Sequence, residues 1–177
     1  MAKKGNLSIS KIKKVSKQIF ETEVHVIDEG HYEDEKIEFQ PLFDDVKIEE
    51  LIVEFGNLLN EAEEKGIEIS QQLEVNLVQI LIVKYFTHFK NDISNSLLSE
   101  GKTIGVLDVL EHFQVTGLLG ECIDNMFLPE EVRKVFSKIT DFSAKGLFAL
   151  DLNDEAIKKF SELKLKNQDV FDKLKKI

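Results

Sequence analysis

Lys36–Glu64 reads KIEFQPLFDDVKIEELIVEFGNLLNEAEE, and this stretch decides the fold. Its first five residues alternate polar and apolar, the period of a half-buried strand. Pro41 ends that strand or places it on a sheet edge, because proline has no N–H to give to a ladder. Asp44 or Asp45 then offers a side-chain oxygen to the first free N–H groups of a helix. From there Val46, Ile48, Leu51, Ile52, Phe55, Leu58, Leu59 and Ala62 recur at helical spacing. Glu49, Glu50, Glu54, Glu61 and Glu63 fill the other face and read as solvated. A boundary near residue 44 thus separates a short β-module from a helical remainder.

Upstream, Ile19 to Ile27 alternates around Glu21, Glu23 and His25, a second strand signal. Asp28-Glu29-Gly30 supplies turn chemistry. The two strands form a hairpin that is marginal alone, so it must pack on the helices or pair with another chain. An exposed strand edge is a docking rail. Residues 1–18 hold a lysine-rich stretch that reads as a flexible arm or a marginal helix.

Downstream, Gly66 suits a helix C-terminus and Ser70 an N-cap. The next helix runs to about Lys90 and is apolar almost all round, as a central core helix is. Its β-branched content leaves a strand as the second reading. Asn91 to Gly101 is a polar connection. Thr103 caps a helix through Val115 with Ile104, Leu107, Leu110 and Phe113 inward, and Leu118 to Phe127 makes a separate short helix. Pro129 with Glu130 and Glu131 marks another start, with proline in the first turn and acids on the positive dipole end. Gly146 breaks that helix. A last helix begins at Asn153 or Asp154, with Ile157, Phe160, Leu163, Val170, Phe171 and Leu174 on one face. The fold class is therefore mainly α: a helical bundle-like domain with a short N-terminal β-hairpin. The chain divides into a basic arm (1–18), a hairpin module (19–43) and a helical domain (44–177), the last two forming one domain.

Charge is segregated. Residues 1–20 carry +6, residues 21–68 carry −14 and residues 69–177 carry −2. The acidic balance argues against nonspecific nucleic-acid binding by the folded part. The basic arm can still meet an anionic surface, or the acidic module of the same chain. The most apolar run, Ile80 to Phe86, is interrupted by Lys84, whereas a membrane span takes about 20 apolar residues. A single cysteine, Cys122, suits a reducing compartment, and the basic start is not followed by an apolar signal core. Cytoplasmic localisation is the expectation.

No pattern points to catalysis. Gly101-Lys102-Thr103 matches the end of a phosphate loop, but Ser96 stands where the first glycine belongs. His25 and His31 flank the hairpin turn near Glu33, Asp34 and Glu35 without a recognised metal spacing, and read as solvated loop histidines. His88 has Lys84 and Asp92 at four-residue offsets, a surface pairing. Cys122 has no local base and reads as a buried thiol. No enzyme activity, cofactor or metal is expected.

ETEVHVIDEG, then KIEFQPLF, run directly into DDVKIEELIVEFGNLLNEAEE, between a lysine-rich start and a lysine-rich final helix. This layout resembles the tail assembly chaperones of long-tailed siphophages. The resemblance implies a non-catalytic protein of the host-cell cytoplasm that binds the tape measure protein during tail morphogenesis. It implies that the protein keeps that apolar helical client soluble and recruits tail tube subunits. Many members of the family are also made in a longer, frameshifted form. Leu51, Phe55 and Leu58 on one helix, and Phe160, Val170, Phe171 and Leu174 on the last, are the expected client contacts. A homo-oligomer is a further expected partner state. The competing reading is an acidic helical adaptor or inhibitor that binds a host regulatory protein.

Overall fold

The computed structural model describes residues 8–28, 30–101 and 103–144. It is mainly helical with one two-stranded antiparallel hairpin. In chain order the elements are α1 (Ile9–Ile19), β1 (Glu23–Val26), β2 (Lys36–Phe39), α2 (Asp45–Glu64) and α3 (Gln71–Phe86). A 3₁₀ turn (His88–Asn91), α4 (Val106–Val115) and α5 (Leu118–Gly120) follow. α5 runs into a π-helical turn (Glu121–Met126), and α6 (Pro129–Ala144) closes the set.

Local chemistry sets the helix ends. Asp44 caps α2 by accepting from the Lys47 N–H at 2.9 Å. α2 stops at Gly66, whose φ of +65° suits a residue without Cβ. There the Ile67 N–H reaches the Ala62 carbonyl and the Gly66 N–H reaches the Glu63 carbonyl, a Schellman arrangement. Ser70 caps α3 through the Leu73 N–H. Gly105, not Thr103, precedes α4, so Ile104 lies exposed rather than inward. A Cβ on Gly105 would stand 2.3 Å from the Leu98 carbonyl carbon, so only glycine fits there. α3 ends at Phe86, short of Lys90, and the chain tightens into the 3₁₀ turn.

α3 is the core helix, with every residue from Ile80 to Phe86 buried. α2 lays Ile48, Leu51, Ile52, Phe55 and Leu58 into the same core. Phe43 stacks on Phe86 with ring centroids 3.8 Å apart and meets Phe127 edge-on. The last predicted helix, and the Gly146 break before it, lie outside the described residues.

Two sequence expectations fail at one place. Lys84 is 2% exposed and does not pair with His88 on the surface. Glu54 is 6% exposed and is not part of a solvated face. The Lys84 ammonium donates to Glu54 Oε1 at 2.6 Å, to the Ser94 carbonyl at 2.7 Å and to Asn95 Oδ1 at 2.5 Å. The Tyr85 hydroxyl donates to Glu54 Oε2 at 2.7 Å. All three ammonium protons and both carboxylate oxygens therefore have partners, the condition under which a buried ion pair is tolerated. Burial, then the Glu54 carboxylate, pushes the Tyr85 phenol up.

β1 and β2 pair in register Glu23↔Phe39, Val24↔Glu38, His25↔Ile37 and Val26↔Lys36. β2 is covered on its outer edge. The Gln40 N–H donates to the Phe86 carbonyl at 2.8 Å, and the Glu38 N–H to His88 Nδ1 at 3.2 Å. His25 is not a solvated loop residue. Its Nε2 lies 2.7 Å from Glu121 Oε1 and ties the hairpin to the π-helical turn. Burial pushes the Glu121 carboxyl up, but hydrogen bonds from His25 and Asn125 outweigh it and hold the group below 4.5.

Two predictions follow from these polar contacts. Lys84→Met leaves Glu54 buried without its cation and is expected to cost about 3–5 kcal/mol in urea unfolding. Glu54→Leu with Lys84→Met removes both charges and recovers part of that loss. The Glu121 contact acts in the opposite pH sense to a raised base: its folded value is depressed. Its contribution of about 1 kcal/mol is present above the ordinary value and lost as pH falls through the folded one. Hydrogen-exchange protection factors of the Glu23, His25 and Ile27 amides, corrected for the intrinsic slowing of exchange in acid, should therefore fall below pH 4.5, and Glu121→Gln should remove that pH dependence.

Candidate functional site

Of the sequence-predicted contact residues, the three on α2 do not form a surface. Leu51, Phe55 and Leu58 are each 0% exposed. The stripe that looked available to a partner is the one that α2 turns toward α3, and a folded molecule has no way to present it. Phe160, Val170, Phe171 and Leu174 lie outside the described residues.

The exposed apolar surface is instead on α1, in the stretch read as an arm. Ser8 caps α1 by accepting from the Lys11 N–H. Ile9, Ile12, Val15 and Ile19 fall on one stripe at 100° per residue, with Phe20 at its end. Lys11, Lys13, Lys14 and Lys17 flank and oppose it, and α1 contains no acid. No residue of α1 is buried. Ile9 is 68% exposed and Phe20 is 61% exposed. Among the described residues, nothing buries the apolar face of this amphipathic helix.

Among the described residues, a side-chain clamp ties α1 to the body. The Gln40 side-chain amide donates to the Ile19 carbonyl at 2.6 Å. Gln40 is itself fixed, since its Nε2 also reaches the Leu42 carbonyl and its Oε1 accepts from the Lys47 ammonium at 2.6 Å. Burial pushes the Lys47 ammonium down, against the raising effect of Asp44. Between α1 and the body lies a groove of about 620 Å³. Ile12, Val15, Ile19 and Phe20 form one wall, and Phe43, Asp44, Asp45 and Lys134 form the other.

The body side of the groove is rigidly set. The Phe43 N–H donates to Glu131 Oε2 at 3.0 Å, and its carbonyl accepts from the Lys134 ammonium at 2.7 Å. Lys138 and Lys134 hold the Asp45 carboxyl below its ordinary value of 3.8. Both α6 lysines are thus committed to the body. The groove is an apolar slot with a fixed floor and a helical wall attached at one end.

A second groove, about 630 Å³, runs between α2, the 67–69 segment and Phe142 of α6. Val53 borders it and is exposed. Cys122 contributes no chemistry, because burial, with Glu121 adding to it, pushes its thiol up to about 12. Among the described residues no group of three or more His, Cys, Asp or Glu could hold a metal ion. No helix among them is long and apolar enough to cross a membrane.

Sequence reasoning located the lysines of α1 but not the stripe between them. The signal was present, since Ile9, Ile12, Val15 and Ile19 keep helical spacing. Gln40 gave no signal, because a clamp to a carbonyl 21 residues away leaves no pattern in sequence. No protein-family model, curated protein or solved structure matches this chain.

Proposed function

We propose that this chain is a non-catalytic tail assembly chaperone. It holds an apolar helical segment of a tape measure protein in the groove beneath α1, and it brings tail tube subunits to that client. The resemblance of the chain's layout to siphophage chaperones supplies the class. The observation that carries the binding role is the exposed apolar stripe of α1 lining a groove against the body.

The physical argument is one of fit. A client helix presents apolar residues at three- and four-residue spacing, which is what a slot between a helix and a fixed floor accepts. Each aliphatic side chain removed from water there contributes about 1.5–3 kcal/mol. The acidic hairpin and α2 give the complex a large net charge, which opposes aggregation of an apolar cargo. The client contacts of this reading are Ile12, Val15 and Phe20, in place of the buried Leu51, Phe55 and Leu58.

Co-expression with the tape measure protein of the same gene cluster tests the reading. A soluble, co-eluting complex is expected. Ile12→Glu with Val15→Glu should weaken it about tenfold or more, since each change removes a buried apolar group. Val115→Glu, on an exposed position of α4, should leave it unchanged. A client that precipitates regardless, while this protein stays soluble and alone, sinks the reading. Capture of a host regulatory protein in its place would establish the adaptor alternative.

A further inference from the structure

β1 has an open edge, and its geometry says which strand completes it. In an antiparallel pair, successive residues aim their N–H and C=O groups alternately toward the partner strand and away from it. Ile27 faces β2, because its N–H donates to the Glu35 carbonyl. His25 and Glu23 therefore face β2 as well, opposite Ile37 and Phe39. The outward bonds of Glu38 and Gln40 on β2 confirm the alternation. Val24 and Val26 must then aim their backbone groups away from the hairpin. Among the described residues, nothing hydrogen-bonds to those four groups.

The side chains on this edge lack the usual protection. Native sheet edges carry proline, lysine or a bulge that blocks further pairing. Here the edge carries two β-branched valines, 55% and 40% exposed. The motif Val24-His25-Val26 also reads the same in both directions.

We infer that β1 pairs antiparallel with β1 of a second copy of this chain, about a two-fold axis through His25. In that register Val24 faces Val26 of the second copy, and Val26 faces Val24. Both pairs are of the hydrogen-bonded kind, so the four outward groups of each chain are satisfied together. The four valine side chains gather on one face of a continuous four-stranded sheet. Glu23 faces Ile27 of the second copy, so within residues 23–27 no two acids stand directly opposite. A two-fold contact is closed, which gives a dimer and not a filament. Two such short strands bury far less than a standard interface, so the dimer is weak and concentration-dependent. The acidic hairpins repel each other, and added salt tightens the dimer by screening them.

Sedimentation equilibrium of the full chain tests this with charge-pair variants. The register places position 24 against position 26, which makes a specific forecast. V24K/V26K and V24E/V26E each set like charges across the axis and should be monomeric. V24K/V26E sets opposite charges and should dimerise again. Mixing V24K/V26K with V24E/V26E should give a heterodimer. Circular dichroism and melting show that each variant folds, because both positions point away from the core. A wild-type chain that stays monomeric at every concentration overturns the inference. So does a V24K/V26K chain that still dimerises, which would place the interface elsewhere. Failure of V24K/V26E to dimerise overturns the register.

Discussion

A lysine in the middle of the core is the constraint around which this molecule is arranged. α3 is apolar on every side and can be stable only if neighbours surround it. Lys84 sits near its end among seven consecutive buried residues. An uncompensated ammonium there would cost several kcal/mol, so the surroundings must meet it. They do so from two directions: Glu54 from α2, and Ser94 with Asn95 from the segment after the 3₁₀ turn. This favours one register of α2 against α3, because Glu54 must meet the Lys84 ammonium and the Tyr85 hydroxyl together. Hydrophobic contact is non-directional and could not choose among registers so sharply.

The same helix organises the hairpin. Phe86, two residues beyond Lys84, stacks on Phe43 and gives its carbonyl to Gln40. His88 meets the next outward group of β2. A hairpin too small to stand alone thus uses the end of α3 as its third strand, through the bridge between Phe39 and Thr87. Among the described residues, α1 and the outer edge of β1 stay exposed after these contacts. Both proposed interactions come from this leftover surface.

Much of the architecture could be read from short-range pattern. Asp44, Ser70 and Pro129 each marked a helix start, because capping is a contact within four residues. The hairpin and the central helix were legible from period. The polar core was not. Glu54 repeats the spacing of the exposed Glu50, and periodicity reports a residue's face but never its partner 30 residues on. His25 misled in the same way, since Glu121 is 96 positions distant. The candidate site inverted for a related reason. Leu51, Phe55 and Leu58 have the spacing of a docking stripe and of a core stripe alike, and only tertiary packing distinguishes the two. α1 carries that spacing too, but a lysine-rich stretch reads as solvated until its unburied stripe is placed over a groove.

The clamp between Gln40 and Ile19 has a kinetic meaning. α6 grips both backbone groups of Phe43, so the junction of hairpin and α2 cannot act as a hinge. Release of the Gln40 amide from the Ile19 carbonyl would free the end of α1 that joins the hairpin. Local opening of that kind is far cheaper than global unfolding and runs on faster timescales. On the proposed function, loading and unloading of the slot would be decoupled from the folding barrier. Residence time would be set by how well the occupant fills the slot, while the lifetime of the fold would be set by Lys84.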